Sequence, residues 1–205
     1  SGKTTTIGMM LGLLKPSSGE IIIDGKKIEE SRIEILKKIN FISPYIELPK
    51  KLTVKQNLIV YGKLYSVPDI KKRIEYLSEK LRLEDLLNRI TGELSSGQKN
   101  RVSLAKALIN NPKVLLLDEP TASLDPEIGD FVRTFLENYK EEKKISILLA
   151  SHNMNEVTRL CESILMMKDG IIIDNGSPEE LINKHGRQNL EEVFLKLSRS
   201  KNEFN

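Results

Sequence analysis

The chain reads as an α/β protein: a mostly parallel sheet with helices on its faces, interrupted by an all-helical segment. Three observations carry this. The apolar runs at 114–117 and 147–150 have strand length, and they stand between helical patterns, as strands buried on both faces do. Strand and helix signals alternate toward both ends, the rhythm of strand–helix–strand crossovers. Between those ends, residues 46–110 show Leu, Ile and Tyr at helical spacing and no strand signal.

Taken in order, residues 3–14 predict a helix, because Ile7, Met10, Leu11 and Leu14 recur at three and four. Pro16-Ser17-Ser18-Gly19 ends it. Residues 20–24 predict a strand turning at Gly25, and 39–43 another. Helices are expected at 53–65, 69–81 and 83–88, and one beginning near Ser96. Residues 114–117 and 145–150 predict strands. Between them Asp125-Pro126 opens a helix running to about 142, with Asp as N-cap and Pro at the first helical position. A helix at 154–161 follows. Asp169-Gly170, flanked by apolar runs at 163–167 and 171–174, predicts a hairpin. Ser177-Pro178-Glu179-Glu180 is a capping box, and a last helix covers 190–197. These elements divide the chain into a core part at 1–45, a helical part at 46–110, a second core part at 111–176 and a helical extension at 177–205.

The bulk numbers fit one large domain. The 205 residues are 39% hydrophobic, enough for a packed core. Lys plus Arg is 32 against 29 Asp plus Glu, a net +3, too balanced to argue for nucleic acid. The single cysteine, Cys161, excludes an internal disulfide, fits a reducing compartment and reads as a small core residue at a helix end. No run of about 18 apolar residues exists, and no signal peptide is visible.

The chemistry lies in three short pieces. Ser1-Gly2-Lys3-Thr4 matches the end of the phosphate loop G-x-x-x-x-G-K-[ST]. Gly2 lets the backbone approach a phosphate, and Lys3 supplies a point charge to it. Thr4 offers a hydroxyl to Mg²⁺, and the helix starting there aims N–H groups at the anion. Asp118 and Glu119 end an apolar strand, where ligands of open α/β sheets bind. Asp118 is placed to hold Mg²⁺ and Glu119 to act as general base on the attacking water. Leu94-Ser95-Ser96-Gly97-Gln98 is a Ser/Gly turn opening a helix, able to present N–H groups and hydroxyls to a phosphate. Together they describe a machine for splitting a nucleoside triphosphate.

At these residues the chain resembles the nucleotide-binding subunit of ABC transporters, within the P-loop NTPase class. Gly2-Lys3-Thr4-Thr5, the signature 94–98, the strand 114–119 with Pro120, Ser123-Leu124-Asp125 and Ser151-His152 fall in the family's order. The resemblance covers essentially the whole chain. It implies ATP and Mg²⁺ as ligands and a head-to-tail dimer. Each ATP is then sandwiched between Ser1, Gly2, Lys3, Thr4 and Thr5 of one copy and Ser95, Ser96, Gly97 and Gln98 of the other. It further implies that Asp125 lies in the loop linking the two sites, and that His152 contacts the γ-phosphate. It implies a separate membrane permease as partner, met by the helical part through Tyr45, Leu48, Leu52 and Tyr61. The expected location is therefore cytoplasmic, on the inner face of the membrane. The stretch Ser177–Leu181 with Asn189–Leu195 is similar to the ending of bacterial export-type subunits, which favours export. The alternative is a soluble ABC ATPase acting on nucleic acid or ribosomes, but the coiled coil that chromosome and repair ATPases insert is not seen.

Three departures from the family pattern stand out. Ser96 replaces the commoner Gly, a change its hydroxyl can offset by capping the helix. Ile42-Ser43-Pro44-Tyr45 occupies the loop where the family places a metal-sensing Gln, which leaves Ser43 or water for that role. The first strand, the start of the phosphate loop and the adenine-stacking aromatic are absent, so this 205-residue chain on its own is expected to bind ATP poorly.

Overall fold

A computed structural model describes residues 2–43, 47–122 and 124–199. Its centre is a three-stranded parallel sheet of β3 (Ile39–Ile42), β4 (Val114–Asp118) and β5 (Ser146–Ala150), in the order β3–β4–β5. Leu115, Leu116 and Leu117 are all essentially fully buried. Strand side chains alternate between faces. Leu115 and Leu117 accordingly join the larger core, and Leu116 joins a smaller one with Ile7, Ile28, Ile35 and Ile39. A strand covered on both faces needs no polar alternation, which is why this run is apolar throughout.

The smaller core is closed by α1 (Lys3–Met10) and α2 (Ile28–Leu36). α1 is shorter than the spacing predicts. Gly12 takes a left-handed φ of 64°, and the Leu13 N–H turns back to the Gly8 carbonyl, so Leu14 is left 49% exposed. The expected strand at 20–24 shrinks to a minimal hairpin, β1 (Ile22–Ile23) with β2 (Lys26–Lys27), turned by Asp24 and Gly25 at positive φ. α2 was not expected from the sequence. Its pattern is broken by Ser31, whose backbone is non-helical at φ −128°, so only Ile28 and Ile35 mark its buried side.

α3 (Val54–Leu64), α4 (Ile70–Leu81) and α5 (Ser96–Leu108) form the helical part. Thr53 and Gln56 close a capping box on α3, and Asp69 caps α4. The expected helix at 83–88 is a single 3₁₀ turn, Glu84–Leu86. These helices have no core of their own, since Leu58, Leu77, Leu81 and Val102 pack in one cluster with Ile42, Leu115 and Leu117 of the sheet. Leu48 belongs to that cluster and is buried, which corrects its expected place on a partner-facing surface. Tyr45 lies outside the described residues. The exposed apolar side chains of α3 are instead Val60 and Leu64.

α6 (Pro126–Lys143) begins at Asp125 and packs Val132, Phe135, Leu136 and Tyr139 into the same core. A third cluster holds α7 (Met154–Leu160), α8 (Pro178–His185) and α9 (Leu190–Arg199) against the hairpin of β6 (Ile164–Lys168) and β7 (Ile171–Gly176). Asp169 and Gly170 both have positive φ, the mirror-image turn their sequence predicts. Cys161 ends α7, and burial pushes its thiol up to about 11. Among the described residues no helix is long and apolar enough to cross a membrane.

Candidate active site

Parallel pairing in register sets three strand ends side by side. Ile42 pairs with Leu117, Leu117 with Leu149 and Asp118 with Ala150. The residues that follow, Ser43, Glu119 and Ser151-His152, therefore emerge along one edge of the sheet. This is the carboxyl edge, where crevices of open α/β sheets receive ligands.

Asp118 ends β4 and is 5% exposed. Among the described residues its carboxylate meets no hydrogen-bond donor and forms no ion pair. Burial pushes its pKa up and the neighbouring Glu119 charge adds to that, while Lys3 draws it down. A carboxylate on a largely buried residue, open at the sheet edge and with a lysine nearby, is a donor suited to Mg²⁺. Among the described residues no three acidic, His or Cys side chains converge into a cage.

Glu119 leaves the strand with a left-handed φ of 51°, a conformation that costs about 1–3 kcal/mol outside glycine. Its N–H donates to the Ala150 carbonyl at 2.8 Å. The bend swings its side chain toward the end of β5. There the His152 N–H donates to Oε1 at 3.1 Å, and His152 Nδ1 lies 2.6 Å from the same oxygen. The Glu119 side chain is 19% exposed and that of His152 71%, so the acid is sheltered and the imidazole faces outward. Asp118, Glu119 and His152, picked out far apart in sequence, are thus brought together.

Gly2 stands at φ 94° ahead of α1, where a Cβ would lie 3.2 Å from Cα of Gly170. The conformation therefore favours glycine there, and the space is tight for any side chain. The first N–H groups of α1 have no partner within the helix, and Thr4 and Thr5 are exposed beside them. Ser1 lies outside the described residues, as do Pro44 and Ser123.

The signature forms the start of α5. Ser95 is the N-cap: its Oγ accepts the Gln98 N–H at 3.3 Å, and Gln98 Oε1 accepts the Ser95 N–H at 3.0 Å. This corrects the capping role expected of Ser96, which is the first helical residue and exposed. Leu94 anchors the turn in the core at 4% exposure. Gly97 faces Ile128 of α6, and a Cβ there would meet its Cγ2 at 3.4 Å, an ordinary van der Waals contact. Asp125, expected in the loop linking two sites, spends its carboxylate on capping α6, accepting the Ile128 N–H at 3.0 Å.

Two residues escaped the sequence reading. Asn100 of α5 donates to the Pro120 carbonyl at 2.7 Å, tying the signature helix to the turn after Glu119. A cavity of about 290 Å³ opens beside this contact, lined by Ser43, Leu48, Lys99, Glu119 and Leu124. Glu156, 1% exposed in α7, accepts Thr121 Oγ1 and Ser151 Oγ, each at 2.8 Å. Neither belongs to a phosphate or metal motif; an acid four residues after His152 was the available signal.

Comparison with known proteins agrees with this geometry. A family model described as ABC transporter matches residues 1–122. The ABC transporter ATP-binding protein NatA of Bacillus subtilis is 36% identical over 198 residues, 95% of this chain and 80% of NatA. The Nod factor export ATP-binding protein I of a Rhizobium species is 35% identical over 95% of this chain and 64% of its own length. The glycine betaine/carnitine/choline transport ATP-binding protein OpuCA of Bacillus subtilis is also 35% identical, over 95% of this chain and 52% of its own length. The chain thus spans between half and four fifths of these relatives. Among solved structures, the ATP-binding subunit of an ABC transporter superposes with a TM-score of 0.85 at 26% identity, over 97% of this chain and 84% of that one. An ATP-binding cassette captured as a dimer with ADP and Pi gives 0.77 at 29% identity, over 86% of this chain and 80% of that one. These relatives are transport proteins, so the nucleic-acid or ribosome alternative finds no support. With its parallel-sheet fold and the order of its motifs, the chain belongs to the ABC transporter family of ATP-binding proteins.

Proposed function

We propose that this chain is the ATP-hydrolysing motor subunit of a transporter, working as a dimer against a separate membrane permease. The observation that carries the reading is the meeting of buried Asp118, sheltered Glu119 and exposed His152 at one sheet edge, with Lys3 close enough to act on Asp118. In this reading Gly2, Lys3, Thr4 and Thr5 hold the phosphates of ATP, and Thr4 with Asp118 holds Mg²⁺. The metal supplies charge neutralisation on the phosphate oxygens. Glu119 accepts the proton of the attacking water, and His152, tied to the same carboxylate, keeps its imidazole turned to the γ-phosphate side. Ser95 and Ser96, exposed, and Gly97 and Gln98, half-buried, form the helix start that meets the nucleotide of a second copy. Asp125, by capping α6, holds the loop between the two sites in shape.

The same reading takes 46–110 as the permease-facing helical part, with Val60 and Leu64 of α3 as apolar contacts, and 177–205 as a C-terminal extension. It places the protein at the inner face of the membrane through that permease. Export is favoured by the α8–α9 ending, although transport proteins of both directions are among the relatives.

The test is Glu119→Gln in the full-length protein. Gln Oε1 can still accept the His152 N–H, so the site keeps its shape while proton acceptance is lost. The kcat for phosphate release is expected to fall by about a hundredfold to ten-thousandfold with ATP binding preserved. Unchanged turnover would remove Glu119 from this role.

A further inference from the structure

We infer that Glu156, outside every nucleotide-binding motif, is a positioning residue that aligns Glu119 with His152 and keeps one oxygen of Glu119 available to water. The inference rests on the general-base reading of Glu119 given above.

Glu156 sits in the first turn of α7, where Asn153 caps the helix by accepting the N–H groups of Asn155 and Glu156. An acid in a first turn usually faces solvent, where the helix dipole alone favours it. Here both carboxylate oxygens are spent on buried hydroxyls. Oε1 accepts from Thr121, two residues past Glu119, and Oε2 from Ser151, one residue before His152. Thr121 is 8% exposed and Ser151 9%. One buried side chain therefore fastens the loop that carries the proposed base to the loop that carries the histidine. In so dry a place, losing either acceptor leaves a hydroxyl unsatisfied.

The second effect concerns a single proton. The Ser151 hydroxyl has one hydrogen, and two carboxylates lie within reach: Glu156 Oε2 at 2.8 Å and Glu119 Oε2 at 3.4 Å. The shorter contact takes it. The oxygen of Ser151 meanwhile accepts the Asn153 N–H at 3.0 Å, which fixes the hydroxyl's orientation. Glu119 Oε1 is already occupied by His152. While Glu156 holds the Ser151 proton, both lone pairs of Glu119 Oε2 are open to water as far as the described residues go.

The experiment is steady-state ATPase kinetics and thermal unfolding on the full-length protein. Glu156→Gln offers one accepting oxygen in place of two. The one hydroxyl left unsatisfied is expected to lower the melting temperature by a few degrees. The kcat measured well below that melting temperature is expected to fall about tenfold, with KM for ATP near the parent value. Combined with Ser151→Ala, the loss should be smaller than the product of the two single losses, because both act through one hydrogen bond. A kcat within twofold of the parent overturns the inference. So does a loss that multiplies independently with Ser151→Ala, or one that only tracks a fall in melting temperature. Glu119→Gln runs alongside. If that variant keeps turnover, the general-base reading has failed. If it is inactive while Glu156→Gln is normal, only the positioning role has failed.

Discussion

Ser95 has a structural role and a proposed functional one, and one substitution can separate them. Structurally it is the N-cap of α5, accepting the Gln98 N–H, and its own N–H is taken by Gln98 Oε1. Functionally, the proposed dimer brings a phosphate of the partner's ATP to this exposed helix start. Ser95→Ala deletes both roles. The loss of a cap costs about 1 kcal/mol, within a range of roughly 0.5–2. For a chain of this size about 1 kcal/mol lowers the melting temperature by roughly 2–4 °C. α5 itself persists, because Val102, Leu104, Ala105, Ala107 and Leu108 hold it in the core. Ser95→Asp is the informative variant. Aspartate caps as well as serine and its charge favours a helix N-terminus, so stability should stay within about 0.5 kcal/mol of the parent. The same charge stands where the reading puts a phosphate, so ATP-driven dimerisation and phosphate release should fall at least about tenfold, the effect of roughly 1.4 kcal/mol. Circular-dichroism melting gives the first quantity; size-exclusion chromatography with ATP and a phosphate-release assay give the second. A Ser95→Asp protein that is stable and fully active would refute the placement of this helix start against a nucleotide.

Two further expectations concern the fold. Leu117→Ala, fully buried in β4 directly before Asp118, should cost about 2–5 kcal/mol in urea unfolding, since the cavity is walled by both neighbouring strands. Asp174 is buried, which works against its charge, but hydrogen bonds from Lys184, His185 and the Asn175 N–H overcome this and hold its carboxyl below the usual range. A depressed folded pKa gives stability that is present above the ordinary carboxylate range, near pH 4, and lost as pH falls through the folded value. Unfolding measured between pH 5 and 2 should therefore show an acid limb that is shallower in Asp174→Asn; an identical limb would exclude Asp174 as its source.

How much was legible varied by element. Strands buried on both faces announce themselves as apolar runs, and the caps at Thr53, Asp69, Asp125 and Ser177 are local chemistry, so their helices began where expected. α2 was not legible, because its kink at Ser31 breaks the helical spacing. The tail of α1 was misread because Leu11 and Leu14 keep the spacing past the point where Gly12 turns the chain. Spacing records what a helix could bury, not where the backbone stops.

The sequence by itself determined the chemistry on offer: GKT at a helix start, Asp-Glu at the end of a greasy strand, a Ser/Gly turn and a late Ser-His. Those are local patterns, and each needs only its own neighbours to be recognised. Only the tertiary structure decided who meets whom. Parallel register brought Asp118, Glu119 and His152 to one edge, and the bend at Glu119 turned its carboxylate to His152. Burial then gave Glu156 two hydroxyls to hold. The contacts from Glu119 to His152 and from Thr121 to Glu156 join residues more than thirty positions apart. They follow from how the strands and helices pack, and spacing along the chain does not record that.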